Sequence, residues 1–76
     1  MNEEAEKLKA SANEVFKKRD YERAIGLYTE AINIAPEEPV LYSNRSIAYL
    51  KSEAPGAALQ DANQGFFILI FLKKEN

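Results

Sequence analysis

Over residues 20 to 36 the apolar positions recur at three- and four-residue steps. Tyr21, Ala24, Ile25, Tyr28, Ala31 and Ile32 therefore share one face of a helix. Asp20 stands where a carboxylate can accept backbone N–H groups, and Pro36 marks the stop. The stripe carries two alanines, Ala24 and Ala31, one heptad apart. Small residues there let other backbones come close, so this helix is expected to be packed on more than one side. A first helix opens at Asn2-Glu3-Glu4, with Asn2 able to cap and the acids facing the positive end of the helix dipole. Its inward stripe is Leu8, Ala12, Val15 and Phe16; Glu6, Lys7, Lys17 and Lys18 lie opposite. Arg19-Asp20 turns the chain into the second helix. A third helix is predicted over Pro39 to Lys51, with Leu41 or Tyr42, Ser46, Tyr49 and Leu50 inward; proline suits its first turn. Ser52-Glu53-Ala54 is a turn, and Pro55 starts a fourth helix.

In that fourth helix the alternation fails. Gly56 and Gly65 each lower helix propensity by about 1 kcal/mol relative to alanine. Then comes Phe66-Phe67-Ile68-Leu69-Ile70-Phe71-Leu72, apolar all round, followed by Lys73-Lys74-Glu75-Asn76. An amphipathic helix would interleave polar residues here, and the run could end as helix or as strand. Uncharged and free of proline, it is also an aggregation hazard in isolation.

Laid over itself with Leu8 on Tyr42, the chain matches at many positions, although Pro55 stands where the first unit has Tyr21 and Ile70 where it has Pro36. At that one displacement Ala12 falls on Ser46, Phe16 on Leu50, Ala24 on Ala58, Ala31 on Gly65 and Ile32 on Phe66. Large apolar residues meet large apolar ones, and small residues meet small ones. A period of about 34 residues is that of a stacked helix–turn–helix unit. The reading is two helix hairpins, with the small positions where helices approach closely. On these residues the chain resembles the tetratricopeptide repeat family. The first unit carries the pattern in Leu8, Ala12, Phe16, Tyr21, Ala24, Tyr28, Ala31 and Pro36. Four stretches bring the likeness nearer to repeat domains of the chaperone-adaptor type, including one at the N-terminus of a serine/threonine protein phosphatase. They are Ala12 to Phe16, Asp20 to Ile25 and Tyr42 to Lys51, with Ala58 to Ala62 after them.

The fold this implies is all-α: four antiparallel helices in two hairpins, forming an incomplete right-handed superhelix. The expected domain is 1–72, with repeat one at 5–38 and repeat two at 39–72, degenerate after 65; 73–76 is a charged tail. Two repeats fall short of the roughly three usually needed to bury a continuous core. The chain therefore reads as a repeat domain truncated after its second unit.

Composition narrows the chemistry. The 76 residues leave room for one domain. Net charge is −2, from 10 basic and 12 acidic side chains, which argues against nucleic acid as a partner. There is no cysteine and no histidine. That removes the disulfide framework, the thiolate metal site, the usual general base and the commonest zinc ligand. No cofactor, metal site or catalytic residue is expected, and the chain reads as a non-enzyme. No signal peptide opens it, and seven apolar residues fall far below the roughly 20 that span a bilayer. A cytoplasmic or nuclear location is the expectation.

The binding residues come from the resemblance. Lys9 and Asn13 are one turn apart on the first helix, off the Leu8–Phe16 stripe, and Asn44 is on the third. In adaptors of this family the first helix of each hairpin lines a groove. That groove holds the acidic C-terminal tail of Hsp90 or Hsp70, gripped at its carboxylate by lysine and asparagine. Lys9, Asn13 and Asn44 match three such positions. The chemistry suits them: a carboxylate accepts at about four sites, and lysine and asparagine are donors. Two further positions, a lysine and an arginine, belong to a third repeat. Lys74 falls on the first by count, in a sequence that does not match. Binding by two repeats alone is therefore expected to be weak. Tyr21, Tyr28, Tyr42 and Tyr49 read as core or groove wall rather than as a stacking surface. Lys17-Lys18-Arg19 reads as a helix C-terminal cluster. The alternative reading is a truncated fragment without peptide binding, whose apolar segment, through Phe66, Phe67, Ile70 and Phe71, drives homo-oligomerisation.

Overall fold

The computed structural model describes residues 1–75, with side chains through Leu72. These residues form four helices in sequence: α1, Glu3–Lys17; α2, Tyr21–Ile34; α3, Pro39–Lys51; and α4, Pro55–Glu75. Each helix packs on the next. The result is a slab 17 Å thick and 38 Å long, about two helix layers deep.

The helix boundaries follow from local chemistry. Asn2 caps α1 by accepting the N–H groups of Glu4 and Ala5 at 2.7 and 3.1 Å. Asp20 caps α2 by accepting that of Arg23 at 3.3 Å. Pro39 and Pro55 occupy the first positions of α3 and α4, where no N–H is needed.

Both hairpins close with the same turn. Arg19 donates its N–H to the Phe16 carbonyl and Asp20 donates to Val15; one repeat later, Glu53 donates to Leu50 and Ala54 to Tyr49. These paired bonds satisfy the last carbonyls of α1 and α3 and require a left-handed residue between cap and exit. Arg19 (φ 66°) and Glu53 (φ 63°) supply it, although neither is glycine. The repeat is thus written into the backbone as well as the side chains.

The small positions are the closest approaches. Ala12, Ala24 and Ala31 are fully covered. Buried Ser46 donates its hydroxyl to the Ala58 carbonyl at 2.7 Å, locking α3 to α4. A Cβ on Gly65 would stand 3.3 Å from the Pro39 carbonyl oxygen, so α4 crosses α3 at nearly backbone contact.

Two expectations are corrected and one left open is decided. On α1 the covered residues are Ala5 and Ala12, whereas Leu8, Val15 and Phe16 are half-buried. In the described chain α1 packs on α2, and one neighbour shields mainly the line of closest approach. On α3, Leu41 and Tyr42 are both buried, with Ser46 and Ala48, but Leu50 is 58 % exposed. At 100° per residue, Leu50 projects opposite Leu41 and away from both α2 and α4. The apolar run of the fourth element, open between helix and strand, is helix throughout, and α4 continues to Glu75. Within it Ile68 is buried, while Phe66, Phe67, Leu69, Ile70, Phe71 and Leu72 are exposed. Of the expected charged tail, the side chains of residues 73–76, Lys74 among them, lie outside what is described.

Candidate functional site

α1 and α3 are the first helices of their hairpins, and Asn13 of one and Asn44 of the other face a shared cavity. Together with Phe16, Tyr28 and Ile47 they line one cavity of about 280 Å³. Each arrives there for a local reason. Asn13 follows fully covered Ala12 on α1, which sets it at the margin of the packed face. Asn44 lies at the edge of the buried arc of α3, one position before Arg45, whose side chain is pinned inward.

Tyr28 comes from α2, behind the two asparagines. It is 2 % exposed, and its hydroxyl donates to Asn13 Oδ1. Burial pushes the Tyr28 phenol above its ordinary value, with the Asn44 side chain as a hydrogen-bonding neighbour acting the other way. At neutral pH the phenol is therefore a protonated donor.

Lys9 is held differently. Its Nζ lies 3.5 Å from Glu6 Oε1, one turn back along α1. It stands a turn from Asn13 but outside the cavity lining. Of the three residues singled out from the sequence, two are brought together and the third is engaged by a neighbour that went unnoticed.

A second polar cluster was also missed. Arg45 grips Asp61 with two parallel bonds, Nε to Oδ2 at 2.7 Å and Nη2 to Oδ1 at 2.8 Å. Its Nη1 donates to Thr29 Oγ1 at 2.9 Å, and its guanidinium lies 5.9 Å from the Tyr42 ring and 5.7 Å from the Tyr49 ring. One side chain thus ties α2, α3 and α4. The carboxylate of Asp61 raises the Arg45 pKa further, against the effect of burial. The available signal was a charge inside an apolar stripe: Arg45 continues Tyr42–Tyr49 on α3, and Asp61 continues Ala58–Ile68 on α4.

The residues expected to mediate self-association sit far along α4. Phe66, Phe67, Ile70 and Phe71 are between 50 and 65 % exposed. A shallow apolar cavity of about 270 Å³ lies beside them, lined by Glu37, Gln64, Phe67, Ile68, Phe71 and Leu72. Among the described residues, no helix is long and apolar enough to cross a membrane.

Two antiparallel hairpins that repeat the same turn and the same pattern, with small residues at each close approach, define a tetratricopeptide-type helical repeat, a non-catalytic protein-interaction fold. The comparisons agree. The chain is 50 % identical over 60 residues to serine/threonine-protein phosphatase 5 of Homo sapiens, covering 79 % of this chain and 12 % of that protein. It is 42 % identical over 59 residues to the heat-shock protein cognate co-chaperone sgt12 of Aspergillus fumigatus, covering 78 % of this chain and 17 % of the co-chaperone. The crystal structure of the Sgt2 TPR domain from Aspergillus fumigatus matches with a TM-score of 0.86 and 37 % identity, over 88 % of this chain and 44 % of that one. No family model matches. The chain thus resembles the tetratricopeptide regions of co-chaperones and of this phosphatase. It spans only a small part of the curated relatives' length.

Proposed function

We propose that the chain binds the acidic C-terminal tail of a chaperone of the Hsp90 or Hsp70 type, with Lys9, Asn13 and Asn44 holding the terminal carboxylate. The observation that carries this reading is the convergence of Asn13 and Asn44, from different hairpins, on one cavity. Two amides over a phenol, walled by Phe16 and Ile47, suit an anionic terminus that needs several donors and little volume. Lys9 adds the charge from one turn away, after exchanging Glu6 for the ligand. That exchange costs little, because a partly exposed ion pair contributes about 0–1 kcal/mol, whereas a hydrogen bond to a charged group contributes about 1.5–3 kcal/mol. With three donors, binding is weak.

The test is a titration with a peptide ending in Met-Glu-Glu-Val-Asp, as the free acid and as the C-terminal amide. The free acid binds more tightly than the amide; Lys9→Ala removes the difference, weakening the free acid roughly 10- to 100-fold. Equal binding of acid and amide by the unaltered chain would rule out recognition of the carboxylate.

A second reading has its own observation. The exposed faces of Phe66, Phe67, Ile70 and Phe71 on α4 form an apolar surface of the kind that marks an interaction site. The occupant in this reading is a second copy of the chain, giving a homo-oligomer without need of a peptide.

A further inference from the structure

Both ends of an asparagine amide have nearly the same shape, but they do opposite things to a carboxylate. The NH2 group donates to it; the carbonyl oxygen repels it. An asparagine at a helix surface rotates freely between the two presentations, and half of its orientations are wrong for an anion. Asn13 is not free in this way. Its Oδ1 is occupied by the hydroxyl of Tyr28, a residue that is 2 % exposed and belongs to α2 rather than to either helix bearing an asparagine. With the oxygen held against the buried phenol, the Nδ2 group is the end left for the cavity that Asn13 lines with Tyr28 and Asn44.

We propose that Tyr28 is the positioning residue of this site: by donating its O–H to Asn13 Oδ1, it turns the Asn13 NH2 group toward the cavity and so sets the preference for a carboxylate over an amide. The inference rests on the reading that the cavity receives a peptide carboxylate. Tyr28 itself need not touch the ligand. The phenol stays protonated, and so stays a donor, across the neutral range, since burial raises its pKa. The hairpin architecture supplies the rigidity. Fully covered Ala24 and Ala31 flank Tyr28 on the buried face of α2, so its ring is set by packing before any ligand arrives.

The decisive variant is Tyr28→Phe, which keeps the ring and removes the donor. Wild type and variant are titrated with the free-acid and amide peptides, up to millimolar concentration, with binding followed on the side-chain amide resonances of Asn13 and Asn44. The expected result is a free-acid affinity lowered roughly three- to tenfold, the loss of one neutral hydrogen bond's orienting effect, with amide binding unchanged. The Asn13 side-chain resonances shift even without peptide. Undiminished preference for the free acid in Tyr28→Phe, with Asn13 resonances unmoved, overturns the positioning role and leaves the carboxylate reading intact. Equal weakening of both peptides together with a lowered Tm shows a purely structural role and also overturns it. Failure of the unaltered chain to prefer the free acid removes the carboxylate reading and this inference with it. Should Tyr28→Phe not fold, the wild-type Tyr28 hydroxyl proton decides. Protection from exchange that is lost in Asn13→Ala supports the bond, and free exchange in wild type overturns it.

Discussion

Arg19 and Glu53 hold the left-handed conformation that ends each first helix, yet the residues after them differ in capping power. Asp20 accepts the Arg23 N–H and starts α2. Its equivalent in the second hairpin is Ala54, whose backbone carbonyl accepts the Ala58 N–H just as that of Asp20 accepts the Ala24 N–H. Ala54 has no side-chain acceptor to offer, so α4 begins uncapped. Ala54→Asp is expected to stabilise the chain by about 1 kcal/mol, which in a domain this small raises Tm by roughly 4–8 °C. Asp20→Ala should shift Tm in the opposite direction. Thermal unfolding by circular dichroism measures both; a lowered Tm for Ala54→Asp would show that the turn geometry differs between hairpins.

At the scale of elements, the helices are joined by two kinds of contact. One is the close approach of small residues, such as Gly65 against the Pro39 carbonyl. The other is the Arg45 cluster, which reaches α2 through Thr29 and α4 through Asp61. The ion pair is largely covered, with side chains 17 and 7 % exposed. Asp61→Asn leaves a charged guanidinium covered without its partner and should destabilise by about 3 kcal/mol. Replacing both by apolar residues, Arg45→Met with Asp61→Leu, should cost less than the single change, because no unpaired charge remains. Urea unfolding of the single and double variants separates these outcomes. A double variant less stable than Asp61→Asn would mean that the cluster contributes more than charge pairing.

On the whole-molecule scale, the two proposed surfaces lie on different parts of the chain: the cavity between α1 and α3, and the exposed apolar flank of α4. They give separable behaviour in solution. If the flank pairs with a second copy, size-exclusion with light scattering will show a dimer whose population rises with concentration. Phe67→Glu or Ile70→Glu will return the chain to a monomer at all concentrations, because a carboxylate cannot be covered there without a partner. A monomer in the unaltered chain across the same range removes the self-association reading and leaves the peptide-binding module.

Much of this was legible from residue order. The self-match that sets Leu8 on Tyr42, the stripe from Tyr21 to Ile32, the caps at Asn2 and Asp20 and the prolines at Pro39 and Pro55 are all local or periodic signals, and they fix the helices and their pairing. Sequence by itself thus determined a two-hairpin helical repeat and the resemblance that drew attention to Lys9, Asn13 and Asn44. It did not decide which sides of α3 would be covered, because that depends on two neighbours acting together, and Leu50 fell outside their reach. Nor could it show that the apolar run of α4 is helix: a run without polar punctuation has no period to read, and the continuation of α4 settles it. The Tyr28–Asn13 bond joins residues 15 apart in sequence and the Arg45–Asp61 pair residues 16 apart. Only the packing of helices brings such groups within hydrogen-bond distance. The tertiary structure therefore decided the polar connections between helices: Tyr28 to Asn13, and Arg45 to Thr29 and Asp61.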